Sequence, residues 1–133
     1  MAIIHPDVEK LLVAYLVTAL AAIDDPVAED VRVATKKTPP GETQPDKEVV
    51  VIAQYDGTLD EVRKSATAVL DVWASGYEVA SELALLVAAL IVNFPGSEVK
   101  RAVVSLGPVR LSEDGPLERR SLTVDLIVKG SEL

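Results

Sequence analysis

The side chains that most often do chemistry in proteins are scarce in this sequence. It has a single histidine, His5, and no cysteine, which excludes disulfides, thiolate zinc sites and cysteine nucleophiles. His5 lies directly before a proline, and no neighbouring residue could orient it as a base or a ligand. We therefore interpret His5 as an exposed residue that precedes a helix.

Acidic pairs are the remaining candidates for a metal site. Asp24-Asp25 and Glu113-Asp114 lie at an expected helix end and an expected turn, where solvated acids are common. The sequence contains no calcium-loop pattern, no phosphate-binding glycine motif and no G-x-S-x-G element. We expect no catalytic, cofactor-binding or metal-binding residue, and we expect that the protein is not an enzyme.

Charged and aromatic side chains instead indicate contacts with other proteins. Four basic pairs occur, and they fit either solvated sheet edges or sites that meet acidic patches on identical neighbours: Lys36-Lys37, Arg63-Lys64, Lys100-Arg101 and Arg119-Arg120. The proline-rich segment 36–47 fits a mobile loop that is either slack or orders on a partner. Trp73 fits a core residue or an interface anchor. The candidate interface residues are Lys36, Lys37, Lys47, Asp71 and Trp73.

Composition favours one globular domain over residues 1–133. Hydrophobic residues make up 49 % of the 133 residues but aromatic residues only 4 %, so the core must consist of aliphatic side chains. A net charge of −8 argues against tight binding of nucleic acid, although DNA could still pass through a pore of such subunits. The two longest apolar runs are too short for a membrane span, and no secretory signal is visible, so we expect a soluble protein made in a cytoplasm.

Hydrophobic periodicity predicts two helices and five strands in the order α-β-β-β-α-β-β. The first helix follows Pro6 and ends before Pro26, and strands are expected at 31–35, 48–54, 63–74, 100–111 and 121–129. A turn is expected at 55–61, and Gly107-Pro108 should place its strand at an edge or a bend. Short joins between strands favour an α+β fold with a mostly antiparallel sheet and both helices on one face.

The second helix is expected to begin at a capping box, with Ser75 as the N-cap and Glu78 at the third position. From Leu83 onward this helix is apolar on all sides, so it should be covered by the first helix or by a neighbouring subunit.

Several segments together resemble one protein family. They are the opening helix PDVEKLLVAYLVTAL, the VRVAT strand with its proline-rich loop, the segment ATAVLDVWASGYEVASELALLVAAL, the turn GPVRLSEDG and the strand LTVDLIVKG. Across nearly its whole length the sequence resembles the tail terminator proteins of long-tailed bacteriophages, especially those of phages that infect actinobacteria. It departs from them in its acidity, since strands of that family are often richer in arginine.

This resemblance implies a function in virion assembly without catalysis or cofactors. Such proteins form a homo-oligomeric ring, usually a hexamer, on the last ring of tail-tube protein. The ring stops tube growth and presents a docking face for the head-completion or connector protein, and DNA passes through the lumen without sequence-specific binding. The expected location is the head-proximal end of the virion tail, after assembly in the host cytoplasm and without a membrane.

Three alternatives remain open from the sequence. The first is another neck, tail-completion or tail-tube protein of the same kind of virion. The second is a small cytoplasmic ligand-binding domain or enzyme, which would need a pocket with convergent polar groups. The third is an adaptor that binds a host protein through the loop 36–47.

Overall fold

A computed structural model describes residues 2–112 and 115–132, and its centre is a five-stranded sheet with two helices on one face. The elements are β1 (Ile3–Ile4), α1 (Val8–Ala21), a 3₁₀ helix (Pro26–Ala28), β2 (Arg32–Ala34), β3 (Lys47–Thr58), β4 (Arg63–Ser75), α2 (Tyr77–Val92), β5 (Val99–Leu111), β6 (Leu117–Lys129) and β7 (Ser131–Glu132).

The order of strands in the main sheet is β2-β3-β4-β6-β5. β2 runs parallel to β3, and the other neighbours are antiparallel, so the predicted α+β class with a mostly antiparallel sheet is confirmed. The short strands β1 and β7 form a separate antiparallel pair that the sequence did not predict.

The core lies between the helices and the inner face of the sheet. Alternate residues of β4 supply the middle of that face, as predicted, with small side chains that let α2 approach closely: Ala66, Ala68, Leu70, Val72 and Ala74. α1 buries every fourth residue of one stripe, from Val8 to Leu20, and α2 buries Leu83, Val87 and Ile91. Two aliphatic layers thus form the core that the composition required.

The start of α2 differs from the predicted capping box. Ser75 is still part of β4, where it pairs with Leu117, and its amide donates to the carbonyl of Asp46 at 3.0 Å. The N-cap is instead Gly76, with φ of 104° and no side-chain cap, a conformation that glycine adopts readily. The strand therefore continues for one residue into the predicted cap, and glycine alone makes the turn into the helix.

The segment from Tyr55 onward also differs from its prediction. β3 continues to Thr58 through an irregularity between Tyr55 and Gly57, where a turn was expected. The hydroxyl of Tyr55 donates to the carbonyl of Pro6 at 2.7 Å, which fixes this end of β3 to the chain just before α1. A long-range contact thus extends a strand that local turn chemistry would have ended.

β5 is an edge strand with several irregularities in its pairing to β6, as Gly107-Pro108 suggested. Gly107 has φ of 96°, and a Cβ atom there would lie 2.4 Å from the carbonyl oxygen of Ser121. This position therefore requires glycine.

The two helices lie side by side, but α1 leaves the outer side of α2 bare. The hydroxyl of Tyr15 donates to the carbonyl of Leu90 at 2.5 Å, and the Tyr15 ring contacts Phe94 with centroids 4.9 Å apart. Leu85 and Val92, on the outer side of α2, remain 61 % and 66 % exposed. Of the two covers expected for this apolar helix, the first helix supplies only part. Within the described ranges, no helix combines the length and the apolar character that crossing a membrane requires.

Candidate functional site

The candidate site lies on the outer face of the sheet, which carries no helix. Residues paired across neighbouring antiparallel strands point to the same side of a sheet, so the register defines rows across this face. One row joins Glu48, Trp73, Arg119 and Leu111, and the next joins Val50, Asp71, Ser121 and Val109. The loop of residues 36–47 packs over the first row.

Trp73 is buried on this outer face, although no helix covers it. It is 8 % exposed because basic side chains lie over its ring. The Lys37 ammonium is 5.3 Å from the ring centroid and the Arg119 guanidinium is 5.1 Å from it. Such cation–π contacts stabilise by about 0.5–2 kcal/mol each. Trp73 therefore acts inside the single chain as a platform for Lys37 and Arg119.

Glu48 is the centre of this region and its side chain is completely buried. Its carboxylate accepts hydrogen bonds from the Thr38 hydroxyl at 2.7 Å and the Thr38 amide at 3.1 Å, and it pairs with the Lys37 ammonium at 2.6 Å and with Arg32. Burial alone would raise the pKa of Glu48, but the hydrogen bonds from Lys37 and Thr38 and the charge of Lys37 lower it. Glu48 is thus an ionised, buried acid that attaches the loop to β3.

The loop 36–47 is held in place by hydrogen bonds within it. The Gln44 amide donates to the carbonyl oxygens of Thr38, Pro39 and Glu42 at 3.3, 2.8 and 3.2 Å, and Lys37 donates to the Gln44 side chain. The expectation that this loop is mobile in a lone subunit is therefore not supported by its contacts, because both its interior and its attachment to β3 are hydrogen-bonded.

Asp71 lies beside Trp73 on the same face and pairs with Arg119 at 2.8 Å. Arg119 thus links the ring of Trp73 to the carboxylate of Asp71. The structure brings together Lys37, Asp71 and Trp73 from the predicted interface residues.

The other two predicted interface residues lie apart from this cluster. The Lys47 ammonium donates to the carbonyls of Pro26 and Val27 at 2.7 and 3.3 Å, and so joins β3 to the 3₁₀ helix on the helical side. Lys36 is exposed, and its carbonyl accepts a hydrogen bond from Arg32 at 2.9 Å.

A cleft of about 460 Å³ opens between the loop and the end of β4. Its walls are mainly apolar, and they include Pro40, Pro45, Trp73, Pro116 and Leu117. Lys37, which also lines the cleft, is already paired with Glu48. Of the other polar residues in its lining, Thr38 is bound to Glu48 and Gln44 is bound within the loop, so both are already hydrogen-bonded.

The residues considered for chemistry have structural contacts instead. Asp25 is the N-cap of the 3₁₀ helix and accepts from the Val27 amide at 3.0 Å. His5 is not simply exposed: its Nε2 lies 3.1 Å from the Val62 carbonyl, and its ring meets Tyr55 edge to face. Glu113-Asp114 lies outside the described residues, and within the residues that are described no group of three or more histidine or acidic side chains could hold a metal.

Sequence reasoning missed Glu48 and Arg119 as members of the site. A signal for Glu48 was available, since it occupies an outward position at the start of the strand EVVVIAQ, directly after a loop that begins with two lysines. Arg119 was recognised only as half of a basic pair, because its partner Asp71 is 48 positions away in sequence.

The chain is similar to known proteins at the level of structure. No protein-family model and no curated protein matches the sequence. Among solved structures, the chain is similar to a chain of the "Virion of native gene transfer agent (GTA) particle", with a TM-score of 0.64 and 16 % sequence identity. The match covers 88 % of this chain and 93 % of that chain. The fold is shared with a virion component. At this level of identity, the likeness concerns the fold alone.

Replacing Glu48 by glutamine tests whether this carboxylate holds the loop. We expect Glu48→Gln to lower the free energy of unfolding by about 1.5–3 kcal/mol, because hydrogen bonds to a charged group are lost at a buried site. Urea denaturation measures the change. Glu42→Gln is the matched control, because Glu42 is an exposed acid of the same loop, and it should change stability by less than about 0.5 kcal/mol. Equal effects of the two variants would contradict the assigned role.

The same pair of variants gives a pH test. Because the pKa of Glu48 is lowered in the folded state, its contribution is complete above the ordinary glutamate pKa of about 4.3 and is lost as pH falls through the lower folded value. The stability difference between the native chain and Glu48→Gln should therefore be constant from about pH 7 to about pH 5 and shrink below about pH 4. A difference that vanished already near pH 6 would be inconsistent with a lowered pKa.

Proposed function

We propose that this chain is a structural protein of a phage-type virion that forms a ring on the end of a tail tube. The observation that carries the proposal is the likeness of fold, over nearly the whole length of both chains, to a component of a gene transfer agent virion. The resemblance of its sequence to tail terminator proteins supplies the specific role. In that role the ring ends tube growth and offers a docking face to the head.

Charge supports passage of DNA through such a ring. Each copy carries a net charge of −8, so a ring of several copies repels phosphate. Binding by counter-ion release needs clustered lysine and arginine, whereas the lysine and arginine side chains of the candidate site are bound to acids of the same chain. DNA could then move through the lumen without being held.

The chemistry of the described residues supports a non-enzymatic function. The cleft beside Trp73 is mainly apolar, and its lysine is neutralised by Glu48. Neither feature provides a nucleophile with a neighbouring base.

The hydrogen-bonded loop 36–47 is suited to contact a partner at one end of the ring, either the tail tube or the head. Its tip, residues 39–43, is exposed although its base is fixed by Glu48 and Gln44. A preorganised loop loses little conformational entropy on binding. In this proposal Lys36 and the loop tip contact the partner, and Lys37, Asp71 and Trp73 hold them in position.

A tube-capping assay tests the proposed function. Purified tail-tube protein from the same virion is allowed to assemble with and without this chain, and tube lengths are measured by electron microscopy. We expect tubes with a ring at one end that no longer grow when more tube protein is added. Lys36→Glu should weaken capping without changing the stability of the chain, because Lys36 is exposed at the base of the loop.

An acidic protein of similar size serves as the control for non-specific charge effects. Tubes that continue to grow in the presence of saturating amounts of the native chain would contradict a terminator. If the chain itself assembled into open tubes, it would be a tail-tube protein instead.

A further inference from the structure

The large exposed hydrophobic side chains concentrate on two surfaces of the molecule. Among residues 2–112 and 115–132, eleven such side chains are exposed, and seven of them lie either on the outer face of the sheet or on the outer side of α2. We call the first the sheet surface, and its members are Ile52, Val69, Val103, Leu106 and Val109. We call the second the α2 stripe, and its members are Glu78, Glu82, Leu85, Ala89 and Val92.

The sheet surface is centred on one mainly apolar row, with Val103 and Val109 in the two neighbouring rows. The register places Ile52, Val69, Thr123 and Leu106 in one row that crosses all four long strands. Ile52 and Leu106, at the two ends of that row, are 56 % and 61 % exposed. Four strands about 4.8 Å apart make the row roughly 15 Å long, which is wide enough to receive one helix.

The α2 stripe is a single ridge with an acidic end and an apolar end. Its five members recur at spacings of three and four residues, so they lie on one side of the helix, opposite the buried Leu83 and Val87. Glu78 and Glu82 occupy the first turns, and Leu85, Ala89 and Val92 follow. α2 contains no lysine or arginine.

The charged groups beside the sheet surface complement those of the α2 stripe. Arg101 and Lys129 lie on the same outer face as the apolar row, at the β5–β6 end. Asp125 lies nearby, Lys129 pairs across the sheet with Arg63, whose charge is bound to Asp60, and the Lys129 amide donates to the carbonyl of the exposed Glu98. Arg101 pairs with Ile127, four residues beyond Thr123, so the cation lies about 13 Å from the apolar row. On α2, Glu78 and Glu82 lie about 10–16 Å from Ala89, the middle of the apolar end. The distance between the charged part and the apolar part is therefore similar on the two surfaces.

The position of the two surfaces dictates the symmetry of such a contact. One lies on the bare side of the sheet and the other on the outer side of the helical layer, so they face in opposite directions on one molecule. A contact between unlike surfaces is heterologous: it produces a ring when the rotation between successive copies closes, and an open filament when it does not.

We propose that the sheet surface of one copy packs on the α2 stripe of the next copy, with Glu78 and Glu82 beside Arg101 and Lys129 of the neighbour. This inference rests on the ring proposed above and names the surfaces that build it. It also supplies the second cover of α2 that α1 does not provide.

Two blocked variants test the contact. Ile52→Arg combined with Leu106→Arg blocks the sheet surface with two charged side chains. Leu85→Arg combined with Val92→Arg blocks the α2 stripe in the same way. All four side chains are exposed, so circular dichroism and urea denaturation should show folded proteins of nearly native stability. Leu59→Arg is the matched control, because Leu59 is 52 % exposed but lies in the β3–β4 hairpin, outside both surfaces.

Each blocked variant alone should be monomeric by light scattering, whereas the Leu59→Arg protein should associate like the native chain. An equal mixture of the two blocked variants should form a dimer and nothing larger, because only one productive pair of surfaces remains. Self-association of the α2-blocked variant through its free sheet surface would overturn the proposal in favour of a contact between like surfaces.

Site-directed cross-linking provides a second readout that does not depend on strong association. The native chain has no cysteine, so Val69→Cys and Ala89→Cys each introduce a single thiol. Mild oxidation of the mixture should give a disulfide-linked heterodimer in at least tenfold excess over either homodimer. A heterodimer only about twice as abundant as each homodimer, which random collision would give, or no cross-linking at all, would overturn the proposal.

The capping assay separates failure of this contact from failure of the proposed function. If the α2-blocked variant still caps tubes like the native chain, the ring is built through other surfaces and the contact is refuted. If the native chain does not cap tubes although residues 69 and 89 cross-link, the proposed function is refuted while the contact stands.

Discussion

The constraint on which the structure depends is that two helices can cover only one face of a five-stranded sheet. The inner face satisfies this constraint with small and branched side chains, and Ala66, Ala68 and Ala74 let α2 approach β4 closely. The outer face has no such cover, and its apolar row stays in contact with water. Large exposed apolar patches are typical of surfaces that bind other proteins. The outer face therefore keeps apolar side chains exposed that a second molecule could bury.

A second constraint acts at one end of the outer face. A buried carboxylate is costly unless it is paired and hydrogen-bonded, and Glu48 obtains its partners from Arg32, Lys37 and Thr38. Because two of these partners belong to the loop 36–47, the loop must pack over Trp73 for Glu48 to be satisfied. This arrangement converts a proline-rich segment into a fixed projection. It leaves the apolar row free and covers only the end of the face that carries Trp73.

The sequence predicted the fold class and the main elements because their signals are local. The alternation in β4, the stripe of α1 and the proline at the edge strand are all read within a few residues, and the structure confirms each of them. The failures concern long-range contacts. The Tyr55 hydroxyl extends β3 by reaching Pro6, and β4 continues through Ser75 because Leu117 pairs with it. Neither partner is near in sequence.

The candidate site was predictable only in part for the same reason. Trp73, Asp71 and Lys37 were recognised as unusual, but Glu48 and Arg119 connect them across the sheet. The two complementary surfaces could not be read from the sequence, because Ile52, Val69 and Leu106 form a row only after the register of four strands is known. The resemblance to tail terminators predicted a ring, whereas the register indicates which surfaces could close it.

We infer that the bare sheet face and the outer side of α2 close copies of this chain into a ring. Light scattering of the native chain across a concentration series tests it most directly. We expect a mass that rises from 14.2 kDa to one fixed multiple of that value and then stays constant, since a closed ring has no free surface left. A mass that stayed at 14.2 kDa at every concentration, with and without tube protein, would contradict the account. So would a mass that increased without limit.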